Sequence, residues 1–260
     1  MMLRFTSILF IALLYSCSLS LRAPSSVNSQ IDIIFDLDWT LVKQVDAVVG
    51  DDSNYIHVGD EIYRLGDGAV ELLDFLFSKQ GIRVSFFSGG KFSRNSELLK
   101  KIKTRHGNAF DLAYRVLSYE DLTKVSSDEG LSFSKRFKKD IRLVTQDVSN
   151  TLLIDDDQRF LLSESYRKNL LWMGETYKHF ESFTDITNFS DQYVPLSQEQ
   201  WQYDRRKLYF IKDILEKSLE KRENFLWAVR FEREKYNFEY NLSRKEMSCH
   251  TSMNAFLSVL

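Results

Sequence analysis

The chain has 260 residues, 43% of them hydrophobic and 28% charged, with a formal net charge of −2. So balanced a charge leaves no electrostatic footprint for a nucleic-acid partner, and so apolar a composition excludes a chain too polar to build a core. Cys17 and Cys249 are the only cysteines, which excludes a disulfide framework or a cysteine zinc site.

The first elements concern targeting. Residues 1–4 are short and basic, residues 8–15 are apolar, and Ser16, Cys17 and Ser18 are small. This is the layout of a secretory signal peptide over residues 1–22, and the apolar run is too short to span a bilayer comfortably. Leu14-Tyr15-Ser16-Cys17 is also similar to a bacterial lipoprotein processing box, which would make Cys17 a lipid anchor. The expectation is therefore an exported protein, periplasmic or secreted, and a lipoprotein if Cys17 is acylated. Residues 23–30 read as a linker.

Residues 31–35 form a short apolar run and predict a strand, with Asp36 and Asp38 directly after it. Residues 54–64 alternate around Gly59-Asp60, a hairpin signal that would make a small flap carrying His57. Val70, Leu72, Leu73, Phe75 and Leu76 mark a helix, residues 84–87 a second strand, and Leu98, Leu99 and Ile102 another helix. Residues 151–154 and 170–173 predict two more strands. Apolar runs bounded by polar residues suit strands buried on both faces, and their alternation with helices predicts a doubly wound α/β fold with a parallel sheet.

After Pro195 the composition changes. Residues 197–240 contain no Gly or Pro, and Leu208, Ile211, Leu215 and Leu219 recur at helical spacing. One long helix or a helical pair packing back on the core is expected, its charges forming a solvated face and its end fraying from Asn241. The organisation expected is one domain over residues 31–195 and a helical C-terminal extension over residues 196–260.

The chemistry starts at Asp36 and Asp38. Reactive groups collect at the carboxyl ends of strands in open α/β sheets, and residues i and i+2 of an extended chain share a face. One carboxylate can then attack phosphorus while the other moves the leaving group's proton. Taken alone, such a pair equally binds a metal ion or caps a turn.

Phe35-Asp36-Leu37-Asp38-Trp39-Thr40-Leu41-Val42 resembles the first motif of the haloacid dehalogenase (HAD) superfamily. It is especially similar to that of the polymerase C-terminal-domain phosphatase and NLI-interacting-factor-like family. The resemblance implies a HAD-like Rossmannoid sheet with flanking helices and no large cap, with Asp36 as nucleophile and Asp38 as acid and base. Val84-Ser85-Phe86-Phe87-Ser88-Gly89-Gly90 is similar to the second motif. There the Ser88 hydroxyl would bind a phosphoryl oxygen, Gly89 would leave room for backbone donors, and Thr40 would add a substrate contact. Lys139-Asp140-Ile141, ahead of Asn150-Thr151-Leu152-Leu153-Ile154-Asp155-Asp156-Asp157, matches the third and fourth motifs. It implies Lys139, rather than Lys135 or Lys138, as the cation that offsets phosphoryl charge. It also implies Asp155 and Asp156, with Asp36 and the backbone carbonyl of Asp38, as the Mg²⁺ ligands. Asp157 is expected to cap a helix. The chain departs from the family at Arg64-Leu65-Gly66, where Arg-Pro-Gly is usual, and at Trp39, where an acidic residue is usual.

The activity implied is Mg²⁺-dependent hydrolysis of phosphomonoesters through an aspartyl-phosphate. The stretches between motifs are too short for a large cap, which favours a phosphoprotein or other bulky substrate. Two alternatives stay open: an exported phosphatase of small esters such as nucleotides or sugar phosphates, and a binding protein that uses the C-terminal helices.

Overall fold

The computed structural model describes residues 30–174, 176–236 and 238. The signal peptide expected over residues 1–22, Cys17, the linker up to residue 29 and the tail from Asn241 lie outside the described residues. In chain order the elements are β1 (Ile31–Phe35), β2 (Val42–Val45), β3 (Tyr55–Val58), β4 (Glu61–Leu65), α1 (Ala69–Phe77), β5 (Ile82–Phe87), α2 (Phe92–Lys101), β6 (Lys103–Thr104), β7 (Gly107–Asn108), α3 (Ala109–Leu112) and β8 (Arg115–Leu117). They continue with β9 (Thr123–Lys124), α4 (Phe133–Arg136), β10 (Phe137–Lys138), β11 (Thr151–Asp155), β12 (Leu170–Trp172), α5 (Gln198–Leu219) and α6 (Phe225–Arg233), joined in places by short 3-10 helices.

The main sheet is parallel throughout, in the order β12-β11-β1-β5-β8. Every residue of β1 and of β11 is buried. Alternate side chains feed two cores. Ile33, Phe35, Leu152 and Ile154 enter the larger, while Ile34, Leu153 and Phe87 enter the smaller. Burial on both faces is why these strands are continuous apolar runs in the sequence. This is the Rossmann-like α/β architecture expected.

The two faces are covered differently. Leu72 and Leu73 of α1, Leu98 and Leu99 of α2, and Ile211 and Leu215 of α5 all pack into the larger core. The smaller core is closed by Ile141, Val144 and Leu161, which lie in or beside 3-10 turns rather than on long helices. Asp140, Asp147, Asp157 and Ser163 start such turns, each accepting a backbone N–H two residues on. Flanking helices therefore cover one face, and capped turns the other.

The C-terminal segment forms two helices, α5 and α6, where one long helix or a helical pair was expected. Ser197 caps α5 by accepting from the Gln200 amide, and α6 buries Phe225, Leu226 and Val229 in the same core as β1. The flap is larger than the hairpin expected. Strands β3 and β4 pair around Gly59, whose φ of 57° suits a glycine, and β2 adds a third antiparallel strand in the order β2-β4-β3. Lys43 of β2 reaches buried Asp204 of α5 at 2.6 Å, and Lys207 meets the same carboxylate at 3.0 Å. The flap is thereby tied to the C-terminal helix by an ion set in which Asp204 and Lys207 are buried and Lys43 is partly exposed.

Strand order reverses beside β1, since β5 and β8 continue to one side while β11 and β12 return on the other. At such a switch point a crevice opens at the carboxyl ends of the strands. Asp36 follows β1 there, and Asp155 ends β11.

Candidate active site

The Asp36 amide still donates to the Ile154 carbonyl at 3.0 Å, so the strand ladder holds its backbone. The chain then turns sharply. The Leu37 carbonyl accepts from the amides of Leu41 and Val42, and the Trp39 amide donates to the Val42 carbonyl at 2.7 Å. This turn places Trp39 in the left-handed region, with φ of 63°, which is uncommon for a bulky side chain. Its indole packs against the Tyr193 ring, with centroids 5.4 Å apart. Thr40 is buried, and its hydroxyl oxygen finds no partner among the described residues.

Lys139 is the centre of the charge arrangement. It is fully buried, and its Nζ lies 2.5 Å from Asp36 Oδ1 and 2.7 Å from Asp155 Oδ2. Its backbone is pinned beside the chain that follows the acidic run: its amide donates to the Phe160 carbonyl at 2.7 Å, and its carbonyl accepts from the Leu162 amide at 3.3 Å. The ammonium also sits 5.1 Å from the centre of the Phe160 ring. Asp155 Oδ1 accepts from the Asp157 amide at 2.8 Å. Asp157 itself caps the next turn, as expected.

Asp38 points its carboxylate elsewhere. Ser88 Oγ donates to it at 2.9 Å, and Arg94 Nη2 donates to both of its oxygens at 2.6 and 2.7 Å. Ser88 is fully buried and accepts from the Gly90 amide at 3.1 Å. At Gly89 an added Cβ would come within 2.9 Å of the Phe133 ring. The bare backbone there makes room for that ring, rather than only for donors to a ligand. Phe133, Phe137, Phe160 and Tyr119 form one aromatic group beside this loop.

Asp36, Asp155 and Asp156 each offer an oxygen within 4.8 Å of the others. Asp38's carboxylate is not in that group, because Arg94 and Ser88 hold it away; only its backbone carbonyl remains for the metal role expected of it. Three carboxylates against one ammonium leave excess negative charge. An all-oxygen donor set of this kind fits a hard divalent cation.

The electrostatics agree. Burial raises the Asp36 pKa to about 7, with Lys139 opposing and Asp155 and Asp38 adding to the shift. Burial also raises Asp155, against the pull of Lys139. Asp156 is pushed well above the usual carboxylate range by burial and then by Asp155 and Asp36. Lys139 stays protonated in spite of burial because Asp155 and Asp36 face it.

A carboxyl whose folded pKa is raised adds stability below its unfolded pKa and loses it as pH rises through the folded one. For Asp36 that window runs from 3.8 to about 7. Metal-free protein is therefore expected to melt at a lower temperature at pH 8 than at pH 5.5, with Asp36→Asn reducing the difference. Because a cation needs ionised ligands, Mg²⁺ is expected to raise the melting temperature more at pH 8 than at pH 5.5. Equal Mg²⁺ shifts at the two pH values, or none at either, would contradict this account.

Asp36, Ser88, Lys139, Asp155 and Asp156 thus stand at one end of the sheet with Asp38, and Thr40 and Gly89 lie in the two adjoining loops. Arg94 was not foreseen from the sequence. A cavity of about 1210 Å³ lies instead between β4, α1 and α5, lined by Arg64, Glu71, Asp74, Arg205 and Tyr209. Asp36, Asp38, Asp155 and Asp156 do not line it, so chemistry rather than shape marks the site.

Fold and site define an α/β protein with a lysine-bridged carboxylate centre at the switch point of a parallel sheet. No family model matches the chain, and no curated protein matches it. Among solved structures, a beryllium fluoride complex of a variant of the fission yeast RNA polymerase II CTD phosphatase Fcp1 is 14% identical, with a TM-score of 0.40 over 86% of this chain and 67% of that one. A second structure, of Fcp1 described as an essential RNA polymerase II CTD phosphatase, is 16% identical, with a TM-score of 0.39 over 73% of this chain and 54% of that one.

Proposed function

We propose that this protein is a HAD-type phosphatase that hydrolyses phosphomonoesters through an aspartyl-phosphate. The observation that carries this reading is the fully buried Lys139 ammonium held between Asp36 and Asp155 at the carboxyl ends of β1 and β11. A structural ion pair needs no third acid, yet Asp156 shares the site.

In this reading an Asp36 oxygen attacks phosphorus, and the bond from phosphorus to the leaving oxygen breaks as the new one forms. Asp38 delivers a proton to that leaving oxygen. It then takes a proton from water, whose oxygen attacks phosphorus, releasing inorganic phosphate and restoring the Asp36 carboxylate. Lys139 offsets charge on the transferring group, and Ser88 supplies a hydroxyl beside Asp38. Asp36, Asp155, Asp156 and the Asp38 carbonyl would hold Mg²⁺, whose charge would stabilise the phosphoryl oxygens.

The substrate class we favour is a phosphoprotein or another bulky phosphate ester. The support is the small three-stranded flap after β1, with α1 following it directly, which leaves no room in that stretch for a large cap. The setting we favour is outside the cytoplasm, from the signal-like residues 1–22.

The test is hydrolysis of an aryl phosphate by the purified chain. Turnover should be lost in a chelator and restored by Mg²⁺. Phosphopeptides should then be cleaved with higher kcat/KM than nucleotides or sugar phosphates. The reverse order would reassign the enzyme to small esters, and no metal-dependent hydrolysis of any ester would sink the phosphatase reading.

A further inference from the structure

Arg94 belongs to none of the four motif segments, yet the chain is shaped around it. Gly90 lacks a side chain where Arg94 passes: an added Cβ there would stand 2.8 Å from the Arg94 Cζ and 2.9 Å from Nη2. The guanidinium lies 5.1 Å from the centre of the Tyr63 ring, which belongs to the flap strand β4 and is itself buried. Gly90, Tyr63 and Asp38 therefore fix it from different sides.

The donors are used unevenly. Nη2 makes both contacts to Asp38, while Nη1 is buried and finds no acceptor among the described residues. A guanidinium is a planar fork whose two terminal nitrogens suit paired oxygens of a carboxylate or phosphate. Leaving one of them buried without an acceptor is costly unless an acceptor arrives with the ligand.

Resting on the phosphatase reading above, we propose that Arg94 is a substrate-binding residue: Nη2 holds Asp38 while Nη1 donates to a non-bridging oxygen of the phosphoryl group. One rigid side chain then sets the distance between the group being transferred and the carboxylate that serves the leaving oxygen. It selects a phosphoryl group with a free oxygen directed at Arg94, which favours a monoester over a diester.

The test measures binding of inorganic phosphate, with Mg²⁺ present, by calorimetry. The proteins are wild type, Arg94→Lys and Arg94→Met, each also in an Asp38→Asn background. A charge-assisted hydrogen bond predicts about tenfold or more weaker phosphate binding for Arg94→Met. The same loss should appear in the Asp38→Asn background, where holding the carboxylate no longer matters. Arg94→Lys should recover only part of it, since an ammonium lacks the fork. KM for an aryl phosphate should rise in the single variants along with the dissociation constant. Melting curves identify any variant that fails to fold; if Arg94→Met does, Arg94→Lys decides by the same comparison in both backgrounds. If the loss vanishes in the Asp38→Asn background, Arg94 merely positions Asp38 and the proposal falls. If wild type turns over and neither Arg94 variant binds phosphate more weakly, the proposal falls while the phosphatase reading stands. Wild type that neither binds phosphate nor hydrolyses esters removes both.

Discussion

Asp36→Asn is expected to abolish turnover of an aryl phosphate, by on the order of 10⁴-fold or more, as removal of a covalent nucleophile does elsewhere. The change is nearly isosteric. The strand ladder that holds Asp36 uses its backbone amide, which the substitution leaves in place. It removes the one oxygen nucleophile bonded to Lys139 on the β1 side of the site. It also removes a buried charge whose pKa is already pushed to about 7, so the fold should not suffer at neutral pH. The decisive result is a variant with wild-type melting behaviour and no burst of covalent phosphoenzyme. Residual activity within tenfold of wild type would remove Asp36 from the mechanism.

Lys139→Met should damage both stability and rate. Methionine fills a similar length, but it leaves Asp36 and Asp155 buried without their shared cation. Removing one partner of a buried ion pair costs about 3–5 kcal/mol, read here by urea denaturation at pH 7.5. Loss of a fixed charge facing a transferring group costs roughly 10²–10³-fold in kcat. Lys135, four residues earlier and exposed, supplies the control: its methionine variant should stay within about 0.5 kcal/mol of wild type. Equal effects at the two positions would mean that burial at Lys139 has no special consequence.

The parts of this molecule that were legible beforehand share a physical cause. Strands β1 and β11 bury every residue and β5 buries its last four, so each stands out as an apolar run against polar flanks, while β12 buries only Leu171 but is apolar throughout. The hairpin was visible because Gly59 marks its turn. Strand β8, Arg115–Leu117, was not visible: it is a short edge strand in which only Leu117 is buried. Strand β2 was missed because Val-Lys-Gln-Val carries too little pattern to stand apart from the loop before it. In the site, residues tied to a motif by fixed spacing were legible, Lys139 among them despite two neighbouring lysines. Arg94 was hidden because its partner Asp38 lies 56 residues earlier and its own surroundings look like an ordinary polar helix start. The covered cores raised a similar difficulty. Asp- and Ser-capped turns seal the smaller one, and each is only three to six residues long, too short for a periodic signal.

The order in which the layers are made has a consequence during biosynthesis. Strand β1 is synthesised before every element it packs against, and its neighbour β11 follows more than a hundred residues later, with Asp32 opposite Thr151. The apolar face that β1 shares with α1 is completed only by Ile211, Leu215 and Phe225, further still along the chain. A growing polypeptide therefore carries an uncovered greasy surface until its last helices emerge, and contacts of such long sequence separation form slowly. Chaperone demand should accordingly be greatest just before α6 is released, when the five strands exist but the layer that seals them does not.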